Sequence, residues 1–508
     1  MNDMTSKATW NRIACGWVMA LMLPCGLSAG AGDQPQWGEK LTRNMISSET
    51  GLVDSFDPAT GKNIRWRAAL GNQSYATPVV AGGKVLIGTN NDVPRDPTHV
   101  ADAGVLMAFN EKDGSLAWQL ICPKLEGDRY YDWPHTGWQS PPSVEGEKVY
   151  VVSNRAEVLC LDLNGLANGN DGPFKDEGKH MSAKGLGEEP VNPTDADILW
   201  AFDMVKEVGM WPHDAAHSSI LIDGPYLYLN TGNGVDNTHR KIRKPDAPSL
   251  IVLEKATGRL LAMDDEKIGD KIFHATWSSP AVGDVNGRRL IFFGGGDGIM
   301  YAFEALKDIP PPGDVRKLKK VWSFNCDPDG PTGDIHPYSG NRKVSPSNIM
   351  GMPVFVDGRV YVTAGGDFWW GKRQSWLKCI DPSKEGDVTK TAEVWSYPMP
   401  THCMGTPAVK DGLVYVGDAA RMVHCVNAAD GKPVWQHKTG GEMWSSPMVA
   451  DGKIYIGTRK GDFWILAAGR NLKVLAQGDL GAPISATAAA ANGTIYISTM
   501  KEIWAIGK

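Results

Sequence analysis

The chain has no basic tract. Its 52 Lys and Arg face 58 Asp and Glu, for a formal net charge of −6 over 508 residues. A nucleic-acid groove needs a positive surface, so that class of partner is set aside. Long apolar runs are missing beyond one N-terminal stretch, Ile13 to Leu27, which Pro24 interrupts and which is short for a bilayer span. There is no Cys-x-x-Cys-His segment and so no site for a fused c-type haem.

What stands at the N-terminus reads as a secretory signal. Lys7 and Arg12 give the positive end, and Ala29-Gly30-Ala31 is a small-x-small cleavage site. The expected division is a signal peptide over 1–31, a lead-in over 32–56 and one folded unit over 57–508, exported to the periplasm or secreted. Lipidation at Cys25 is the weaker alternative, because Pro24 stands where a small residue would be needed.

The rest of the chain is repetitive. Thr406-Pro407-Ala408-Val409-Lys410-Asp411-Gly412-Leu413-Val414-Tyr415 returns about forty residues later as Ser446-Pro447-Met448-Val449-Ala450-Asp451-Gly452-Lys453-Ile454-Tyr455. Eight such units can be found. Each predicts four strands: a small-Pro strand, a Tyr/Val/Ile alternation after a tight turn, a third strand, and a fourth that usually holds a Trp. The second strands are expected to begin near Val85, Val149, Leu227, Leu290, Val360, Val414, Ile454 and Ile495. The chain stops at a third strand, Ile503 to Ile506, whereas Ile64-Arg65-Trp66 follows a fourth-strand turn. The first strand is therefore expected to complete the last blade and close the ring. The fold class is all-β, an eight-bladed propeller of four-stranded antiparallel blades. Cys160, Cys379 and Cys425 share one register of the third strand, where other units carry Ala, which predicts small buried positions. The pairing of Cys122, Cys326 and Cys403 stays open.

The third-to-fourth strand segments, such as Asn427-Ala428-Ala429-Asp430-Gly431-Lys432-Pro433-Val434-Trp435, resemble the tryptophan-docking repeats of the pyrroloquinoline-quinone (PQQ) propeller superfamily. Trp66, Trp118, Trp200, Trp322, Trp395 and Trp435 hold the docking position. The resemblance implies that these Trp pack blade on blade. It also implies a quinoprotein-like oxidoreductase of an alcohol or sugar, with PQQ and calcium over the ring centre. The adjacent cysteine pair of many such dehydrogenases is missing. A non-catalytic scaffold like the outer-membrane assembly propeller BamB, with an envelope protein partner, is a second reading. A carbohydrate-binding or carbohydrate-cleaving propeller is a third. Fold alone does not choose among them.

Strand parity sorts the loops onto two faces. One face carries the long loops 90–104, 123–138, 203–217, 231–249, 327–351 and 364–375, and long loops on a rigid ring are where function usually sits. Eight of the eleven histidines fall there: His99, His135, His213, His217, His239, His274, His336 and His402. Trp133, His135, Trp138, Trp211, His213, Asp214, His217, His274, Trp277 and Trp444 are expected to line one central depression able to hold a planar cofactor or a sugar. Arg155 and Arg459 are the nearest cations. His213 or His217, paired with Asp214 or Asp132, is the expected proton acceptor. On the other face the insertion from Asn164 to Ile198 fails the EF-hand spacing and reads as a solvated loop.

Overall fold

The computed structural model describes residues 32–508; the expected signal peptide over 1–31 lies outside them. The chain forms eight antiparallel blades around one axis. The first blade comprises strands Val79–Ala81, Lys84–Asn90, Ala103–Asn110 and Leu116–Pro123. Second strands begin at Lys84, Lys148, Tyr226, Arg288, Arg359, Leu413, Lys453 and Thr494, each within two residues of the expected position. Ile64–Ala69 pairs antiparallel with Glu502–Gly507, with Trp66 opposite Ala505, and so closes the ring as expected. Two blades gain a short fifth strand at their outer edge, Arg316–Lys317 and Gly386–Asp387.

The docking tryptophans show why the repeat is written as it is. Trp66, Trp118, Trp395 and Trp435 each donate their indole N–H to a backbone carbonyl of the next blade, those of Glu111, Leu163, Ala428 and Gly469. The rings of Trp66, Trp118 and Trp395 then lie over a turn glycine of that blade, Gly114, Gly165 and Gly431. A Cβ on Gly114 (φ +72°) would stand 2.5 Å from the Trp66 ring, whereas one on Gly61 (φ +75°) would meet nothing within 4 Å. Both positions carry the left-handed penalty of about 1–2 kcal/mol. Gly114→Ala is therefore expected to cost about 1–3 kcal/mol more than Gly61→Ala, from overpacking alone. Urea unfolding of the two variants checks this; equal losses would contradict the docking account.

The six cysteines among the described residues are buried and free. The lead-in is more than an approach. Residues 34 to 47 run around the axis and bond to the innermost strand of every blade or the residue entering it. Gln34 bridges Val80, Pro35 accepts from Val144, Leu41 from Val282, Thr42 from Phe355, and Met45 from Val449. Fully buried Arg43 donates to the carbonyls of Ser219 and Pro280, Asn44 exchanges two bonds with Val409, and Ser47 donates to Ala490. The segment plugs the ring.

The Asn164–Ile198 insertion carries a short helix, Glu177–Met181, which packs against the outer strand of the first blade. Its His180 Nε2 lies 3.1 Å from Glu157. Burial alone would lower His180, but Cys122 and Glu157 outweigh it and push it up to about 9 from 6.5. Burial would likewise raise Glu157, but His180 outweighs it and pulls the carboxyl down to about 2 from 4.5. The pair's contribution is thus complete between pH 4.5 and 6.5, declines as pH rises through 9, and declines as pH falls through 2. His180→Gln is expected to lose on the order of 3 kcal/mol near pH 6 and progressively less toward pH 10. Melting curves across that range test it; a pH-independent loss would contradict the ion pair. Among the described residues no helix is long and apolar enough to cross a membrane.

Candidate functional site

Loops between blades, and between second and third strands, converge on one face around a cavity of about 450 Å³. Its floor includes Trp37 from the axial plug, whose indole donates to Thr487. Its walls are aromatic. Trp277, Trp369 and Trp444 meet edge to face at 5.5 and 5.9 Å, and Tyr75 stacks on Trp444. Arg459 lies 4.4 Å over the Trp444 ring and donates to Ser485. The opposite wall is Tyr130, Trp133, His239 and Trp370. One carboxylate lines the cavity, Asp214, with Gln139 and His217 beside it.

The residues read from sequence divide into three groups. Trp133, Asp214, His217, Trp277 and Trp444 line the cavity, with Arg459 at its edge. His213 and His274 are buried directly behind the lining. The others point away. Asp132 sits under its loop against Asn154 (2.9 Å) and Lys124 (3.6 Å), where burial pushes it up to about 7. It pairs with neither His213 nor His217. His135 takes a left-handed backbone (φ 62°), which turns its exposed side chain outward to Asp92 at 2.7 Å. Trp138 enters the core of the first blade, and its carbonyl lies against Gly88. Trp211 is held between Tyr131 and Arg243. Arg155 donates to Pro123 and His180 behind the outer wall.

Sequence reasoning missed Asp367 and placed His239 only in its loop. Asp367 is fully buried. It accepts from Asn348 (2.9 Å) and from the backbone N–H groups of Trp369 (3.0 Å) and Trp370 (2.8 Å), and it holds His274 Nδ1 at 3.0 Å. Burial alone would raise this carboxyl; His274 and the N–H donors hold it below the usual range. Burial would lower His274, and Asp367 reverses that and raises it. Burial, then His274 and His239, lowers His213 to about 2; burial lowers His217 to about 4. Burial raises Asp214. The cavity thus offers the neutral imidazoles of His217 and His239, both lowered to about 4 by burial, one carboxylate with enhanced proton affinity, and aromatic faces. That set can hold a hydroxylated or flat molecule and accept a proton from it.

A family model described as outer membrane protein assembly factor BamB matches residues 41–126 and 373–502. The chain is 24% identical over 440 residues to quinohemoprotein alcohol dehydrogenase ADH IIB of Pseudomonas putida, covering 81% of this chain and 56% of that protein, so it spans little more than half of that relative. Among solved structures, a europium-containing methanol dehydrogenase superposes with a TM-score of 0.59 at 12% identity, covering 94% of this chain and 98% of that one. BamB from Moraxella catarrhalis gives 0.49 at 12%, covering 86% and 95%. The docking repeats, the eight closed blades and these partial matches together make the chain a PQQ-like eight-bladed β-propeller.

Proposed function

We propose that the protein is an exported oxidoreductase that binds an alcohol or sugar in the central cavity and oxidises it. The observation that carries this is the single carboxylate, Asp214, set among aromatic faces in the ring's central cavity. Trp faces suit the C–H face of a sugar or an alkyl chain. Asp214 accepts the hydroxyl proton, and His217, whose Nδ1 is buried without a partner, orients the hydroxyl oxygen. The reaction class is taken from the likeness to a quinohemoprotein alcohol dehydrogenase.

The group implied by the superfamily fits in part. PQQ would be held by Trp277, Trp369 and Trp444 with Arg459 as its cation, and when bound it supplies a two-electron acceptor. Calcium does not fit: it takes six to eight oxygen ligands, whereas the cavity wall and the layer behind it gather three imidazoles and one carboxylate. The test is a panel of alcohols and sugars in a dye-coupled turnover assay, with and without PQQ. Turnover of at least one alcohol or sugar is expected; none across the panel under either condition would overturn the reading.

The scaffold alternative rests on the segments 41–126 and 373–502. Those segments contain Tyr75 and Trp444 but none of Tyr130, Trp133, Asp214, His217, His239 or Trp277, so what they share with an assembly factor is mostly blade. A scaffold predicts capture of an envelope protein and no small-molecule turnover.

A further inference from the structure

His213, His239 and His274 come from three different loops and present one ring nitrogen each within 4.8 Å of the others. His213 Nε2 and His239 Nε2 are 3.0 Å apart. The hydrogen-bond partners fix which nitrogens are free. His213 Nδ1 lies 2.7 Å from the Val235 carbonyl, which can only accept, so Nδ1 carries the proton and Nε2 the lone pair. Asp367 already accepts three N–H donors, so it accepts a fourth from His274 Nδ1. His274 Nε2 then faces the cluster, buried and with no partner. Asp214 completes the group. Its two oxygens stand 3.6 Å from His213 Nε2 and 3.7 Å from His274 Nε2, too far for hydrogen bonds. Asp214 and His239 both hold left-handed backbones (φ 65° and 57°), strain of a kind that clusters at functional sites.

We propose that His213, His239 and His274 bind a divalent late first-row transition ion, with Asp214 as fourth ligand or as the base beside an ion-bound water. Without an ion, His239 Nε2–H donates to the His213 Nε2 lone pair across 3.0 Å; an ion would displace that proton and gather the three ring nitrogens, all within 4.8 Å of one another. Zinc–imidazole bonds of about 2.0–2.1 Å put ligand atoms of one tetrahedral ion about 3.3 Å apart, between the 3.0 Å of the His213–His239 pair and the 3.6 and 3.7 Å of the Asp214 contacts. Three imidazole donors select zinc, iron or copper over calcium. Asp367 and the Val235 carbonyl play the supporting part that ring N–H acceptors play at histidine metal sites. The ion would be reached from the cavity, since His239 and Asp214 line it. This site stands on its own geometry, whether or not the cavity oxidises an alcohol.

The test uses the untagged full chain, stripped with chelator and titrated with Zn²⁺, Co²⁺ and Ca²⁺. One Zn²⁺ per chain is expected, with a raised melting temperature, and Co²⁺ is expected to give visible d–d bands of a nitrogen-ligated ion. His239→Ala should abolish both. Asp367→Asn should weaken binding about 10–100-fold while leaving the ligands present. His180→Gln, in the separate Cys122–Glu157–His180 cluster, should change neither. No zinc uptake, unchanged uptake in His239→Ala, or preference for Ca²⁺ would each overturn the proposal. Should His239→Ala fail to fold, the wild-type Co²⁺ protein decides by NMR. At least two slowly exchanging, paramagnetically shifted imidazole N–H resonances, from His213 and His274, support the site, and their absence contradicts it.

Discussion

Removal of residues 32–56 is expected to abolish the cooperative thermal transition while leaving the closing strand Ile64–Ala69 in the chain. The segment bonds to the innermost strands of all eight blades or the residues entering them, and among the described residues no other element reaches them together. Even at about 1 kcal/mol for each bond, the total rivals the stability of a whole domain, about 5–15 kcal/mol. Burial adds to it, since Leu52, Val53 and Phe56 pack into the core of the seventh and eighth blades. Arg43→Met isolates the polar part. It strands the carbonyls of Ser219 and Pro280 in the interior, at about 1–3 kcal/mol each. Differential scanning calorimetry reads both changes. A truncated protein that melts as the full chain does would mean that the ring holds itself and that the plug is decoration.

Asp214→Asn is expected to lower turnover by about 10²–10⁴-fold, the usual contribution of a general base, with the melting temperature nearly unchanged. The side chain packs no blade interface; its environment is the cavity and the two imidazoles behind it. Asp132→Asn is the matched comparison. From sequence the two acids are equivalent candidates, both in long loops of one face. In the fold Asp132 turns away toward Asn154 and Lys124. Its substitution should leave turnover within a few-fold of wild type. Equal losses in both, or a loss in Asp132→Asn alone, would remove Asp214 from the chemistry.

The blades were legible because their determinants are local. Asp-Gly turns, alternation after them and a Trp following a Gly turn lie within a dozen residues of one another, so second strands could be placed within two residues. Closure was legible from an unpaired fourth strand at one end and an incomplete blade at the other. The plug was not, because residues 34–47 carry no repeat and contact positions hundreds of residues away. In the cavity, the segments that feed the site could be found, but not which way each side chain faces. Trp133 and Trp138 lie in one short segment, yet the first lines the cavity and the second enters the blade core. A left-handed backbone at His135 separates them, and nothing in the residue type announces it. Asp367 lies in the long loop 364–375, beside the Trp369–Trp370 pair that forms part of the wall. An acid next to adjacent tryptophans on the long-loop face was the signal that would have found it.

The aromatic cavity on the long-loop face is where this propeller is expected to act. The most direct test is a crystal structure of Asp214→Asn with an alcohol or sugar that the wild-type protein oxidises. The ligand is expected to pack against Trp277, Trp369 or Trp444 with a hydroxyl at residue 214. A ligand bound on the opposite face or along the outer wall, with the cavity holding only water, would contradict it.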